Sequence, residues 1–548
     1  MKNKYLHLAA MLILIPTLAS CSIVNAFING YKGLSSEINS MTDSAQTSTS
    51  DSTSSSGSSD VSSNTTTSST NTTISSSDIN EENVGYYKPD SMSFKATDYD
   101  EGFSPSTGNV NLLIIPIEFK ASSYTITYQQ SDFDKINDRY FGSASDSLKN
   151  YYSKASFGKL NLSGTISSVY KVNVTGSAAA KYDEKAFYSL LNSAYSWTLA
   201  NNPTIDFSKF DSNNDGYVDS VHFLTNLSST AFDGSVSSDG FLWPHMYFMN
   251  NSKGTHEKPS VNVYLCTTYG FIDDTTSIHE QGHVFGVDDY YNYTRSSSAD
   301  YVGGADMQDL NCMDWNSYSK MLMNWVQPYV IDGTSDSVTL TINPASSSGD
   351  CILIPASNAT WNGSAYSEYI LLELFTNTGN NSLFWDKWQS IAYEYGLSGA
   401  GALGNGGVRM YHVDSRLYGF NNYKTTNNIN YISDGEYIDN PASNPYNYCY
   451  LPQTNSANNY DYADFVVSTS KNYKLLSLIQ AGKTNTFKTG TSRNALNRSD
   501  LFQTGNVFNM SSYSSFFNNG KFNNGETFPY TITFDSVTTK NATITISK

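Results

Sequence analysis

The chain has 548 residues, 50 of them acidic against 32 lysines and arginines, and 14% of them aromatic. A formal net charge of −18 argues against nucleic acid as a partner, because phosphate contact needs a basic surface. The length allows two or three packed units, and the wealth of Tyr, Phe, Ile and Val after about residue 84 excludes a wholly disordered protein.

Met1-Lys2-Asn3-Lys4 precede an apolar run to Leu18, which ends in Ala19-Ser20-Cys21. A basic start, a short apolar core and small residues mark a secretion signal, and the run is too short for a stable membrane span. Leu18-Ala19-Ser20-Cys21 looks like a bacterial lipobox, which implies cleavage before Cys21 and a lipid on its thiol. Residues 22–83 are dominated by Ser and Thr and cannot bury enough apolar surface to fold, so they read as a disordered spacer. The expected location is the outer face of a cell membrane, held by the lipid, with the folded body a monomer.

Within that body, Asn109 to Phe119 is a nearly continuous apolar run, as in a central strand covered on both faces. Ser147 to Lys154 has helical spacing, Gly158 to Gly164 alternates like a strand, Glu184 to Leu199 is an amphipathic helix, and Val218 to Leu224 is another strand. Alternating strands and helices predict an α/β unit over residues 84–327. After Pro328 helices become scarce. Ser337 to Ile342, Glu368 to Leu374, Gly407 to Val413 and Tyr530 to Ile546 are alternating, strand-like segments, so residues 328–548 are expected to form a β-rich, sandwich-like region. Cys266, Cys312, Cys351 and Cys449 are too widely spaced for a zinc knuckle and allow two disulfides or none.

The densest chemistry lies at Ser277-Ile278-His279-Glu280-Gln281-Gly282-His283-Val284-Phe285-Gly286-Val287-Asp288-Asp289. On a helix starting near Asp274 or Thr275, His279 and His283 share one face and can hold one metal ion, with Glu280 beside them as a base for an activated water. Gly286 can take the left-handed conformation that ends the helix. Two histidines leave a zinc site short of a ligand. No Glu occurs between Glu280 and Glu368, and Asp289 falls just beyond the turn. Asp289 is the expected third ligand, with Asp288 and Asp306 as substitutes, and a role for Asp289 in merely holding a histidine stays open. Met307 is a candidate for an apolar turn beneath the metal, in competition with Met313. His222, His245, His256 and His412 read as structural or exposed, His245 being the one most expected to approach the site.

A second cluster is Asp211-Ser212-Asn213-Asn214-Asp215-Gly216-Tyr217-Val218-Asp219. Oxygen ligands at alternate positions with Gly at the sixth suit Ca²⁺, from Asp211, Asn213, Asp215, the Tyr217 carbonyl and Asp219. His222 stands where an EF-hand has its bidentate Glu, so an ion-free Asx-rich turn is the other reading.

Together these motifs resemble the immune inhibitor A family of secreted bacterial metalloproteases. The similarity is carried by Ser147 to Leu160, Asp206 to Asp219, Leu242-Trp243-Pro244-His245, His279 to Asp289, Tyr318-Ser319-Lys320 with Trp325, and Gly407 to Asp414, in that order. It implies a metzincin-like zinc peptidase domain followed by a β-rich extension, often with structural calcium. Gln281 in place of an aromatic residue, Asp288 in place of Pro and Trp315 in place of His depart from the family pattern. The resulting expectation is a lipid-anchored, extracellular zinc endopeptidase acting on proteins or peptides, with Glu280 as general base. A catalytically inactive binding or adhesion lipoprotein on the same scaffold is the rival, and a solute-binding lipoprotein, with no use for the zinc motif, is a second.

Overall fold

The computed structural model describes residues 84–92, 103–232, 240–249, 251–292, 301–426, 429–438, 445–455, 465–467, 473–489 and 493–548. The signal segment, Cys21 and the Ser/Thr-rich spacer lie outside the described residues.

After the short strand β1 (Tyr86–Tyr87), the central strand β2 (Gly108–Lys120) organises the first half of the molecule. Its run is apolar on both sides because both faces are covered. Val110, Leu112 and Ile114 face the helices α1 (Gln130–Phe141) and α2 (Leu148–Ala155), whereas Leu113, Ile115 and Ile117 pack with Phe187, Leu190 and Leu191 of α3 (Glu184–Asn201). The sheet continues through β3 (Leu160–Ile166), β5 (Ser220–Thr225), β6 (His245–Phe248) and β7 (Val263–Thr268) in the order β3-β2-β5-β7-β6, while β4 (Tyr170–Thr175) extends the outer end of β2. All these pairings are parallel except that of β6, which runs antiparallel on the edge.

The second half is β-rich, as its alternating segments predict. Strands β8 (Tyr329–Ile331), β10 (Cys351–Pro355), β11 (Glu368–Phe375), β12 (Gly407–Asp414) and β13 (Leu476–Leu478) join β1 in one six-stranded sheet. A four-stranded antiparallel sheet, β14 (Val507–Asn509), β15 (Thr531–Val537), β16 (Ala542–Ser547) and β9 (Ser337–Ile342), lies over one of its faces. Ile352, Ile370 and Leu372 of the first sheet share a core with Ile532, Phe534 and Ile544 of the second, as in a sandwich.

One expectation changes here. β11 and β12 are not polar on their outer side: every residue of both strands is buried. Leu371, Tyr369 and Tyr411 pack into the same core as Trp315, Tyr318 and Met321 from before Pro328. Buried hydrogen bonds cross there as well. Arg409 meets Glu373 at 2.5 Å and donates to the Ala305 carbonyl at 2.9 Å, while Glu373 accepts the Ser317 N–H and hydroxyl at 2.8 and 2.6 Å. The change of sequence pattern at Pro328 therefore marks a change of architecture within one continuous core. Residues near the start of the described chain are tied in too, since β1 pairs with β8 and Met92 is fully buried.

Cys266, Cys312, Cys351 and Cys449 are buried and form no disulfide with one another. Among the described residues, no helix is long and apolar enough to cross a membrane.

A shared core has a direct consequence. Residues 84–327 expressed alone should show no cooperative thermal transition in calorimetry, whereas residues 84–548 should unfold cooperatively, because truncation exposes the apolar faces of Trp315, Tyr318 and Met321 to water.

Candidate metal centre

The helix α4 spans Thr276–Val284 and lies across the β6–β7 end of the sheet, where Val284 packs with Met246, Phe248, Val263 and Leu265. Its N-terminus is held differently from the simple cap the sequence suggests. Asp274 accepts the Thr276 N–H at 2.9 Å, and the Thr275 hydroxyl turns away to the Asn311 carbonyl. The i, i+4 spacing sets His279 and His283 on one face, with their Nε2 atoms 3.2 Å apart. The helix stops at Val284, and Gly286 takes φ +88°, which lets the chain fold back over the last turn.

That reversal delivers Asp289. Its Oδ1 lies 3.0 Å from His279 Nε2 and 3.2 Å from His283 Nε2, and all three residues are buried. Among the described residues, this is the group of three His, Cys, Asp or Glu side chains whose ligand atoms converge closely enough to hold a metal. Asp288 and Asp306 have other tasks. Asp288 accepts the Asp289 N–H at 2.9 Å and the Thr454 hydroxyl at 3.0 Å. Asp306 caps the short helix α5 (Met307–Leu310) through the Gln308 N–H and accepts the Asn316 N–H at 2.9 Å.

Ring orientation tests the fit to a cation. His279 Nδ1 sits 2.8 Å from the Met307 carbonyl and His283 Nδ1 sits 2.6 Å from the Val287 carbonyl. A carbonyl only accepts, so each Nδ1 carries a proton and each Nε2 is the ring atom turned toward the carboxylate. Two Nε2 atoms and a carboxylate oxygen facing one another in a buried site need positive charge among them, either a proton on a ring or a metal cation in its place. Ligand atoms about 2.1 Å from a tetrahedral ion stand about 3.4 Å apart. The observed triangle of 3.0–3.2 Å is close to one face of such a tetrahedron, leaving its fourth corner for a further ligand. Without an ion, a proton supplies that charge: burial works against it on His283, yet the Asp289 carboxylate lifts the ring to about 10, and the two imidazoles hold Asp289 well below the usual carboxylate range despite its own burial.

Glu280 is partly buried on the same turn. Desolvation raises its carboxyl above the ordinary range, against the lowering effect of His279, His283 and the Met246 N–H of the edge strand β6. The Met307 contribution is its carbonyl, which orients His279, while its side chain is fully buried in the core. Met313 instead accepts the Tyr151 hydroxyl at its carbonyl.

Gln281 and Trp315, near the cluster, have local partners. Gln281 Oε1 accepts from His222 Nε2 at 2.6 Å and from the Ser220 hydroxyl at 2.8 Å, while His222 Nδ1 faces the Tyr140 hydroxyl at 3.1 Å. Burial lowers His222 to about 4, so this bridge between α4, β5 and α1 uses the neutral ring. Trp315 donates its indole N–H at 3.0 Å to Gln308 Oε1, the atom a side chain at Gly282 would strike at 2.5 Å.

The remaining predicted residues lie elsewhere. His245 does not approach the metal cluster. Strand alternation on β6 sends Met246 and Phe248 toward α4 and His245 to the opposite face, where it hydrogen-bonds the Trp243 carbonyl and the Tyr264 hydroxyl. His256 faces Asp211 at 3.4 Å, and His412 pairs with Glu368 at 2.8 Å. In the Asp211 to Asp219 loop the carboxylates turn onto local N–H groups: Asp211 accepts from Asp215 and Gly216, Asp215 from Tyr217 and Asn213, and Asp219 from Ser212. Tyr291 is the residue the sequence reading left unnamed. Two positions beyond Asp289, it stacks on the His279 ring with centroids 6.4 Å apart and planes at 28°. Among so many tyrosines, its closeness to Asp289 was the one available signal.

Compared with models of known protein families and with curated proteins, the chain matches none.

Because Gln308 is buried and pinned by Trp315, Gly282→Ala should overpack this contact. It is expected to destabilise the protein by about 1–3 kcal/mol, seen as a lowered Tm in thermal unfolding.

Proposed function

We propose that this protein is a zinc-dependent endopeptidase, held at the outer face of the cell membrane by a lipid on Cys21. The observation that carries the reading is the convergence of His279 Nε2, His283 Nε2 and Asp289 Oδ1 with Glu280 on the same helical turn. Zinc bound there would supply Lewis acidity, making a water acidic and a scissile carbonyl electrophilic.

The chain's own groups account for the remaining chemistry. Glu280, raised above the ordinary carboxylate range, is suited to take a proton from the attacking water and pass it to the leaving amine. Among the described residues the edge strand β6 pairs with β7 alone, and its outer edge beside Glu280 suits the addition of an extended peptide. Tyr291, whose ring stacks on His279, is the group proposed to donate a hydroxyl to the oxyanion that forms at the attacked carbonyl. Calcium at the Asp211 to Asp219 loop, expected from its sequence, is not required for any of these steps. The intact motif favours this reading over the inactive binding scaffold, which would tolerate loss of Glu280.

Three experiments test it. Wild-type residues 84–548 should cleave an unfolded-protein substrate, and a chelator should abolish cleavage. Glu280→Ala should keep zinc but lose at least about 10²-fold in kcat; a variant that cleaves like wild type rules the mechanism out. Tyr291→Phe should lower kcat about 10²-fold with zinc content unchanged, and an unaltered kcat would remove Tyr291 from the mechanism.

A further inference from the structure

Three consecutive polar residues of the C-terminal half, Gln453, Thr454 and Asn455, are no more than 1% exposed. Buried polar groups persist where they have specific partners, and these three reach in three directions. Asn455 imitates a strand: its Nδ2 donates to the Leu476 carbonyl at 2.6 Å and its Oδ1 accepts the Leu476 N–H at 3.1 Å, which locks the segment to β13. Gln453 donates to the Tyr437 hydroxyl at 3.0 Å. Thr454 points the other way and donates to Asp288 Oδ2 at 3.0 Å.

Asp288 carries that contact onward, since its other oxygen accepts the N–H of Asp289 at 2.9 Å. Leu417, Leu451 and Leu475 of the same half line a small apolar cavity with Gly286 and Asp288, so the whole turn is walled from this side. On the other side, the Tyr290 N–H donates to the Gln308 carbonyl at 2.8 Å. The turn thus presents two groups to the metal centre, the Val287 carbonyl that orients His283 and the carboxylate of Asp289, and is held at both flanks.

We infer that Thr454 is a positioning residue for the metal centre, fixing Asp288 and through it the Gly286 to Asp289 turn. The inference rests on the zinc reading of the His279, His283 and Asp289 cluster. Its physical content is twofold. The hydroxyl restrains a turn whose Gly286 has wide conformational freedom. It also keeps the Asp288 carboxylate, one residue from Asp289, turned away from a cation for which it would otherwise compete.

The test compares the full chain with Thr454→Val, Thr454→Ser and Asp288→Ala, measuring zinc affinity by competition with a chromogenic chelator and the metal-free fold by circular dichroism. Thr454→Val should weaken zinc binding about tenfold or more with the metal-free spectrum unchanged, and Thr454→Ser, which keeps the hydroxyl, should bind within about threefold of wild type. Asp288→Ala should weaken binding similarly, and adding Thr454→Val to it should cost little more, because both remove the same link. If Thr454→Val does not fold, Asp288→Ala alone carries the test. Wild-type affinity in Thr454→Val, or in Asp288→Ala, overturns the inference while leaving the zinc reading intact. Absence of zinc binding by wild type overturns both.

Discussion

Much of this structure follows from one electrostatic constraint: two imidazole Nε2 atoms and a carboxylate face one another about 3 Å apart in a buried site. Such an arrangement is stable only if positive charge resides in it and if each group is prevented from turning away. The surrounding chain meets the second condition with backbone carbonyls. Met307 and Val287 fix the two rings, and the positive φ of Gly286 makes it possible for Val287 and Asp289 to return over the helix that carries them. Once those rings are fixed, little freedom remains for the neighbouring residues.

The helix itself is held from beneath by polar contacts rather than apolar packing alone. Gln281 reaches down to Ser220 and His222 on β5, and Gln308 presses on Gly282 under the hold of the Trp315 indole. Residues that look like departures from the family pattern, Gln281 and Trp315, thus sit where they brace the helix. His222 belongs to the same bracing: the residue that breaks the calcium motif by one criterion is the residue that anchors the metal helix by another.

The molecule's two architectures meet at this centre. A mostly parallel α/β sheet positions the metal helix, and the six-stranded sheet of the second half covers the segments that follow it. Burial on both faces of β11 and β12, together with the hydrogen bonds from Arg409 to the Ala305 carbonyl and from Ser317 to Glu373, holds the segments from Ala305 to Lys320 against the C-terminal sheet, with the Arg409–Glu373 and Lys320–Asp314 pairs buried beside them. Breaking such buried pairs costs far more than breaking surface ones, since each leaves a charge stranded in the core. The β-rich half is therefore part of what gives the Gly286 to Asp289 turn its shape.

How much of this was legible beforehand depended on the range over which each feature is set. The central strand, the amphipathic α3, the His279–His283 pair and the Gly286 stop are local: period, cap and spacing determine them, and the structure agrees within two residues. Asp289 was reachable because it is joined to the histidines by a short turn. His245 was misjudged because the face a β-strand side chain takes depends on which face of β6 meets α4, which sequence proximity to Trp243 does not report. The partnerships of Asp288 with Thr454, of Gln281 with His222 and of Glu373 with Ser317 join residues 56 to 166 positions apart. The sequence by itself determined the His279, His283 and Asp289 cluster that could hold a metal, because side chains on one helical turn and the short reversal after it need only local geometry. Only the tertiary structure decided which buried polar groups brace that turn, because hydrogen bonds between distant segments exist only once the sheets have packed.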